Sequence, residues 1–386
     1  MEDPGGWKQW FVGCFVLLSL VVLAGCAERR PPASVADAPE RHVGNGMTLL
    51  ESGDLDDAQA EFDRALGLDA ECGPAYVGKG LVFGTKATRS QDAGEKGRLT
   101  RQAFDSLRKG KKYAIGDDEK VEGYVAFIRV QTMIRQTGWL ADAEENFRYA
   151  VAVDRRAPAP YFFMGEAYKE AYRFGDAARM YREVVNLDSD YRTEAGRSQD
   201  LMERIQRAAP DTTIGKRIAL AETLTRGEAA ALFVQELNLD EVCARVDSRN
   251  AGPSRTPVAK DLGNYPLRQD VDAVLRFGVR GLELYPDQTF RPGELVTRAA
   301  FAVMMADILA NAKGDERLVS RFTGVSSAFF DVGNDLSYFG AVMVCTSLGI
   351  MNPVNSRGDE FRPMETISGV EALLAVRSLK EYLQTG

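Results

Sequence analysis

The sequence predicts an all-α protein, with a helical solenoid in its first half and three repeats of a helical unit in its second half. The first observation is a pattern of alanine, aromatic and small residues that returns at helical spacing between residues 43 and 190. The second is a helix-capping residue at Thr225, Thr297 and Ser368, each followed by an apolar stretch. The third is a composition of 45% hydrophobic and 27% charged residues, which is typical of globular domains.

Residues 1–26 are interpreted as a secretory leader. The run from Trp10 to Ala24 is apolar, too short for a comfortable transmembrane helix and suited to the core of a signal peptide. It ends in Leu23-Ala24-Gly25-Cys26, which resembles the lipobox of bacterial lipoproteins. That resemblance implies cleavage just before Cys26 and lipidation of its thiol; the alternative is an uncleaved anchor helix. In both cases we expect the rest of the chain to lie outside the cytoplasm, held to a membrane.

Residues 27–42 are rich in proline, alanine and charge, without an apolar period, and predict a tether to the first domain. His42, the one histidine of the chain, is expected to be solvated and without a role. A single histidine argues against a histidine-rich metal site, a Ser-His-Asp triad and a Cys-His pair. The formal net charge of −8 argues against a nucleic-acid partner.

Three cysteines remain after the leader: Cys72, Cys243 and Cys345. An odd number in an oxidising compartment leaves at least one thiol unpaired. All three lie in apolar, helix-like contexts, so we interpret them as small buried hydrophobic residues. A disulfide between Cys243 and Cys345 is the alternative that the sequence leaves open.

The first repeat occurs in residues 58–65 (AQAEFDRA), 143–150 (AEENFRYA) and 177–184 (AARMYREV). Gly46 and Gly165 each stand 12 residues before the first alanine of a copy, and the last two copies are 34 residues apart. These positions resemble the tetratricopeptide consensus. The resemblance implies that glycine and alanine lie where the two helices of a unit cross, with the aromatic side chain beside them.

Four such units are predicted over about 43–190, followed by an amphipathic capping helix at 192–208, so that the array spans 43–208. In the second unit, about 11 extra residues (TKATRSQDAGE) are predicted to lengthen the loop between its helices. Stacked helix pairs form a concave surface, on which we expect a protein partner. The alternative is an array that serves only as a spacer.

The second repeat fills residues 209–386. Phe290-Arg-Pro stands seven residues before Thr297, and Phe361-Arg-Pro stands seven residues before Ser368. Capping boxes are predicted at Thr225 with Glu228 and at Ser368 with Glu371. The helices that follow the caps are apolar around most of their circumference, so we expect them to share one core. Preceding helices are predicted to end at Gly281 and Gly349.

The stretch LYPDQTFRPGELVTRAAF resembles the S-layer homology domain. That family implies a spindle of three prongs around a central three-helix bundle, with grooves for cell-wall polysaccharide that use the helix-start arginine. The candidate glycan-binding residues carried over in this way are Arg298, Thr297, Tyr285, Asp287, Arg226 and Thr225. The third copy has Gly369 in place of the arginine, and Gln288 replaces the loop glycine in the second. The alternative is that the phenylalanines and prolines only lock the loops to the core.

Together these patterns predict a scaffold of the cell envelope, lipid-anchored in the periplasm or at the outer membrane. Its solenoid is expected to bind a protein partner, and its second domain to contact cell-wall polysaccharide or an envelope protein. The alternative is an accessory lipoprotein of outer-membrane assembly or secretion, whose second domain contacts only proteins. Acidic clusters such as 54–57 and 116–118 fall in turns or helix starts, where acids are favoured. We therefore expect no enzyme, no cofactor and no metal site.

Overall fold

The computed structural model describes residues 38–187, 190–242 and 257–385. Within these ranges the chain forms helices and turns, with two isolated β-bridges and no β-strand, which confirms the predicted all-α class. The chain divides between Glu203 and Arg204 into two compact units, described separately below. The leader, the lipidation site Cys26 and Cys243 lie outside the described residues.

Four antiparallel helix pairs and a ninth helix make up the solenoid. Each first helix packs on its own partner and on the first helix of the next pair, α1 on α3, α3 on α5 and α5 on α7. The helices are α1 (Pro39–Ser52), α2 (Leu55–Leu68), α3 (Gly73–Arg89), α4 (Ala93–Tyr113), α5 (Asp117–Ile134), α6 (Trp139–Val153), α7 (Pro158–Glu170), α8 (Phe174–Asn186) and α9 (Arg192–Ala208). This row of packed pairs confirms the helical solenoid.

Glycine lies where paired helices cross, and an aromatic ring fills the space beside it. A Cβ on Gly46 of α1 would lie 2.7 Å from the ring of Phe62 in α2, and a Cβ on Gly165 of α7 would lie 2.7 Å from the ring of Tyr181 in α8. Both rings are fully buried. The two-residue combination that the repeat pattern predicted is therefore the contact that sets how closely each pair approaches.

Two glycines of α1 give a matched test of this contact. Gly46→Ala is expected to lower the free energy of unfolding of the first unit by about 1–3 kcal/mol, because the new methyl group overpacks against Phe62. Gly44→Ala is expected to raise it by about 0.5–1 kcal/mol, because nothing lies within 4 Å and alanine favours the helix. Urea unfolding followed by Trp139 fluorescence measures both changes. Equal changes of the same sign would contradict the close crossing.

The extra residues of the second helix pair of the solenoid, α3 and α4, lengthen both helices and do not form a long loop, so the predicted lengthened loop was wrong. Helix α3 continues to Arg89 and α4 starts at Ala93, which leaves a three-residue connection. The Asp92 side chain accepts a hydrogen bond from the backbone N–H of Glu95 at 2.6 Å and caps α4. The second pair is thus longer than its neighbours.

The predicted tether also ends earlier than expected, because α1 begins at Pro39, with proline in the first turn where its missing N–H costs nothing. His42 consequently lies inside a helix. Its Nδ1 is 2.6 Å from the Glu61 carboxylate of α2, and both side chains are 13% exposed. The expectation of a solvated histidine without a role was wrong, since this contact joins α1 to α2.

In the second unit, three apolar helices share one core. They are α11 (Arg226–Gln235), α13 (Arg298–Lys313) and α15 (Gly369–Thr385). Helix α15 packs on both others, and the rings of Phe233 in α11 and Phe301 in α13 stack at 5.6 Å. The described helices are α10 (Thr213–Ala219), α11 (Arg226–Gln235), α12 (Arg268–Phe277), α13 (Arg298–Lys313), α14 (Phe339–Ser347) and α15 (Gly369–Thr385). Helix α12 ends at Gly278, whose φ is +68°, three residues before the predicted end at Gly281.

The segments just before the three core helices are joined in a closed ring of backbone hydrogen bonds. The N–H of Val296 donates to Leu224 at 2.8 Å, the N–H of Ile367 donates to Val296 at 3.0 Å, and the N–H of Leu224 donates to Ile367 at 2.9 Å. All three side chains are buried. This cyclic pattern is the structural counterpart of the regular spacing of Thr225, Thr297 and Ser368, which are 72 and 71 residues apart, and it holds the three helix starts together.

Candidate functional site

Thr225 and Thr297 cap the helices that follow them. Thr225 forms the full predicted capping box with Glu228 at the start of α11. The Thr297 hydroxyl accepts a hydrogen bond from the N–H of Ala300 at 3.2 Å. Ser368 accepts one from the N–H of Glu371 at 3.4 Å, but the Glu371 carboxylate forms an ion pair with Arg298. The hydroxyl groups of both threonines are thus committed to helix starts.

Arg226, at the first position of α11, reaches under the loop of the second repeat. Its Nη1 donates to the carbonyl of Gly281 at 2.6 Å, its Nη2 to that of Glu283 at 2.9 Å and its Nε to that of Phe290 at 2.9 Å. The guanidinium also lies 4.8 Å from the Phe290 ring centre. The side chain is buried, and all three nitrogens donate to backbone carbonyl groups.

Arg298 repeats this arrangement between α13 and the loop of the third repeat. Its Nε donates to the carbonyl of Phe361 at 2.6 Å and its Nη2 to that of Asn352 at 2.9 Å, while Nη1 faces the Glu371 carboxylate. Only 1% of the residue is exposed. Burial lowers the pKa of Arg298 to about 10, so the guanidinium remains charged at neutral pH.

These contacts change the interpretation of both arginines. The family resemblance implies an arginine directed at a sugar, but here each guanidinium is directed at carbonyl oxygens of the neighbouring loop. Each arginine therefore ties one repeat to the loop of the next. Phe290 and Phe361, both fully buried, complete the same contacts, as expected from the alternative in which they lock the loops to the core.

The exposed polar groups of the second loop surround Tyr285. Its hydroxyl lies 2.8 Å from both carboxylate oxygens of Glu294. The guanidinium of Arg291 lies 3.9 Å from the ring centre, and that of Arg226 lies 5.2 Å from it. Burial, followed by the hydrogen bond to Glu294, raises the pKa of Tyr285. Since the protein's own cations cover the ring, a ligand would contact the Arg291 and Glu294 edges.

Asp287 fixes the tip of this loop. Its carboxylate accepts hydrogen bonds from the Thr289 hydroxyl at 2.6 Å and the Thr289 N–H at 3.0 Å, and it pairs with Arg291 at 3.2 Å. The contacts with Thr289, then with Arg291, lower the pKa of Asp287 to about 2. The loop tip thus presents an ionised carboxylate and a half-exposed guanidinium side by side, a pair that can bind hydroxyl or carboxylate groups of a sugar.

Two residues of this surface, Arg291 and Glu294, were missed from the sequence. Their signal was present, because FRPGE at 290–294 returns as FRPME at 361–365. Arg291 and Arg362 both have a φ of +56°, a left-handed conformation that is uncommon outside glycine.

Asp261 and Asp331 were missed as anchors of these turns. Asp261 accepts the N–H groups of Phe290 and Arg291, and Asp331 accepts those of Phe361 and Arg362. Each aspartate thus holds one turn against the body of the unit.

The loop of the third repeat keeps the turn but not the polar face. Val354 donates its N–H to Glu360, as Tyr285 does to Thr289, so an aliphatic side chain stands where the tyrosine stands in the second loop. Arg362 pairs with Glu360 at 2.9 Å. The polar surface around Tyr285 is therefore a property of the second loop.

The described part of the chain offers little chemistry beyond this loop. No cluster of three or more histidine, cysteine, aspartate or glutamate side chains there has metal-binding geometry. Cys345 is buried, its Sγ lies 3.4 Å from the carbonyl of Ala302, and burial raises its thiol pKa to about 12. The pairing with Cys243 stays open, since Cys243 is outside the described residues. Among the helices described, none is long and apolar enough to cross a membrane.

One known family matches this chain, and the match falls on the loop of the second repeat. Residues 282–302, which include Tyr285, the FRPGE turn and the start of α13, match the S-layer homology domain. No curated protein matches the chain in sequence. The matched segment is the one in which the buried arginine contact and the exposed polar face meet. An S-layer homology segment indicates that the protein associates with the cell envelope.

Proposed function

We propose that this protein is a lipid-anchored scaffold of the cell envelope, in which the second unit contacts cell-wall polysaccharide and the first binds a protein partner. The observation that carries the proposal is the S-layer homology match at 282–302, which coincides with the exposed polar face of the second loop. The lipobox-like sequence ending in Cys26 supports the lipid anchor. The proposal assigns no catalytic step.

The polysaccharide contact is assigned to Arg291, Asp287 and Glu294. Their side chains are exposed, whereas Arg226 and Arg298 are buried against carbonyl groups. A guanidinium between two carboxylates can donate to sugar hydroxyl groups while the carboxylates accept from others. Tyr285 serves as the support of this surface, because its hydroxyl and ring are occupied by Glu294 and Arg291.

The protein-binding role of the first unit rests on its resemblance to tetratricopeptide arrays. The buried glycine–aromatic crossings and the row of first helices support that resemblance. Between two first helices, the Arg129 guanidinium of α5 lies 4.8 Å from the ring centre of the buried Phe163 in α7. Burial lowers the pKa of Arg129, which is also influenced by Tyr191 and by Glu51 of α1. This contact between α5 and α7 supports the stacking of first helices on which the concave surface of such arrays depends.

A wall-binding assay tests the polysaccharide contact. The chain from residue 27 onward, which lacks the leader and the lipid site, is mixed with purified cell walls, and the bound fraction is measured after centrifugation. We expect Arg291→Ala to weaken binding about tenfold, because a hydrogen bond to a charged group contributes about 1.5–3 kcal/mol. Arg317→Ala removes an equally exposed arginine elsewhere in the same unit and should leave binding unchanged.

Two outcomes would count against the proposal. If Arg291→Ala bound as well as the unchanged chain, the second loop would not be the contact. If the unchanged chain stayed in the supernatant, the second unit would not bind the wall at all. That result would favour the accessory lipoprotein whose second unit contacts only proteins.

A further inference from the structure

The lengthened second helix pair creates a groove on the first unit. Helices α3 and α4 have 17 and 21 residues, whereas α2, on the other side of α3, has 14. The ends of α3 and α4 therefore extend past α2 and leave an open space of about 530 Å³ between α2 and α4. Its lining is formed by Asp56, Gln59, Phe83, Lys86, Arg89, Ser90, Glu95, Arg98, Leu99 and Gln102.

The groove has an apolar floor and a charged rim with a small excess of cations. Phe83 and Leu99 form the floor and are largely buried. Three basic side chains, Lys86, Arg89 and Arg98, stand on the rim with two acidic ones. A volume of this size is within the range of known ligand-binding clefts.

The rim side chains are already oriented by contacts with each other. Lys86 bonds Asp56 at 2.6 Å and Gln59 at 2.8 Å, which joins α3 to α2. Arg98 makes a two-point contact with Glu95, at 2.6 and 2.8 Å, and donates to Gln102 at 2.8 Å. Both Arg98 and Glu95 remain about half exposed, so a ligand can reach them. Pre-ordered donors bind a ligand at a smaller entropic cost than freely moving ones.

The positive charge continues along the outer face of α4. This helix carries seven basic and two acidic residues in a chain whose net charge is −8. At about 100° per residue, Arg98, Arg101, Arg108, Lys109 and Lys112 fall on one side of the helix, and all are exposed. Asp105 falls on the same side and pairs with Arg108, so the face carries five basic residues and one acidic residue. In the part of the chain that the structure describes, Arg101, Lys109 and Lys112 form no ion pair, although Lys109 lies 5.2 Å from the Tyr76 ring centre.

From this arrangement we infer that the groove between α2 and α4, with the basic face of α4, docks an acidic peptide segment of a partner protein. Carboxylates of the segment pair with Arg89, Arg98 and Arg101, and one apolar side chain rests on Phe83 and Leu99. This surface is lined by α2, the end of α3 and the start of α4, all in the first unit, so it does not depend on the wall-binding proposal.

A peptide fits this surface better than a lipid bilayer does. A flat bilayer would leave the groove unfilled and would bring anionic headgroups against Asp56, whose side chain is 94% exposed. A peptide backbone can donate to Asp56 and Glu95 and can reach the amide groups of Gln59 and Gln102. The mixture of acidic and amide acceptors with cations therefore favours a polypeptide over a membrane surface.

The test uses the full chain in a neutral detergent and a fluorescein-labelled peptide of glutamates around one central leucine, with binding followed by anisotropy. We expect saturable binding that weakens with added salt. Arg98→Glu should weaken it about tenfold, because one reversed charge replaces attraction by repulsion. Arg179→Glu is the matched control, since it lies on the second helix α8 and pairs with an acid three residues earlier, as Arg98 does.

A second variant separates the groove from its charge. Gln102→Trp fills the groove without changing any charge and should weaken binding at least about fivefold by the same assay. Ser90→Trp, from the other wall, replaces it if circular dichroism shows that Gln102→Trp has lost helix. The wild-type protein should not bind the same peptide with lysine in place of glutamate.

The opposite results overturn the inference. If Arg179→Glu weakened binding as much as Arg98→Glu, the attraction would be nonspecific. If neither tryptophan variant had an effect, the peptide would not occupy the groove. If phosphatidylglycerol vesicles bound in an Arg98-dependent way and the peptide did not, the surface would be a membrane contact.

Discussion

Replacing Arg298 with alanine is expected to lower the free energy of unfolding of the second unit by about 3–5 kcal/mol. The change removes the donors of two carbonyl groups, those of Phe361 and Asn352, and leaves the buried carbonyl group of Phe361 without a partner. It also leaves the Glu371 carboxylate without its cation and opens a cavity beside the Phe361 ring. The loop of the third repeat should then separate from the start of α13.

The effect is measured by urea unfolding followed by circular dichroism, because all three tryptophans precede residue 140 and report only on the first unit. Trp139 fluorescence should therefore be unchanged in Arg298→Ala, which serves as an internal control. Arg298→Lys should lose part of the stability, since a single ammonium group cannot reproduce the guanidinium fork. Arg291→Ala, at the exposed loop tip, should change stability by less than about 0.5 kcal/mol.

If Arg298→Ala unfolded at the same urea concentration as the wild-type chain, the buried contacts would not stabilise the unit. Such a result, combined with lost wall binding, would return Arg298 to the ligand-binding role that the family resemblance implies. Wall binding retained by a weakened but folded Arg298→Ala at low temperature would support the structural role. The two roles therefore give opposite combinations of stability and binding.

The features predicted correctly from the sequence depend on residues that lie close together along the chain. Thr225 with Glu228 specifies a helix start within four residues, and Gly46 specifies a close crossing with a ring 16 residues away. The solenoid and the three core helices follow from such local patterns repeated at regular spacing. In each case the partner of a residue lies in the same repeat, where its position can be counted.

The missed features depend on contacts between repeats. Arg226 binds carbonyl groups 55 to 64 residues further along the chain, and backbone carbonyl groups carry no side-chain signal in the sequence. The same limit applies to Asp261, which binds the N–H groups of Phe290 and Arg291. A helix-start arginine that binds a sugar and one that binds a loop carbonyl are identical in sequence.

The lengthened helix pair α3 and α4 shows a different limit of prediction from the sequence. Its extra residues contain alanine, lysine and arginine, which favour helix, and Asp92 provides a cap for α4. An alignment with the shorter copies of the repeat places these residues in a loop, because it keeps the helix lengths of those copies and ignores the helix propensity of the extra residues. The consequence was functional as well as structural, since the longer helices form the groove between α2 and α4.

A close backbone contact explains the glycine at the start of α15, whereas the family resemblance suggests the loss of a ligand-binding arginine. Gly369 stands where the other two repeats have arginine. Its N–H donates to the carbonyl of Ala221 at 2.9 Å, as the N–H of Arg298 donates to that of Glu365. A Cβ on Gly369 would overlap the Ile218 carbonyl oxygen near the end of α10. Backbone therefore fills the place that loop and guanidinium share in the other copies.

Gly369→Ala is accordingly expected to destabilise the second unit by about 3 kcal/mol, because the obstacle is backbone and cannot move aside as a side chain could. For a unit of this size the loss corresponds to a lowering of the melting temperature by about 6–12 °C, measured by circular dichroism. Gly293→Ala, with nothing within 4 Å of its Cβ, should melt within about 2 °C of the wild-type chain.

Placing an arginine at this helix start with Gly369→Arg should be more damaging still, since a longer side chain must displace the Ile218 backbone that already overlaps the position of a Cβ. A stable Gly369→Arg protein with improved wall binding would contradict this account. It would mean that the glycine is a decayed ligand contact after all, and that α10 can move away from α15. If Gly369→Ala and Gly369→Arg both lower the melting temperature and Gly293→Ala does not, two helix starts are held by an arginine and the third by a close backbone contact.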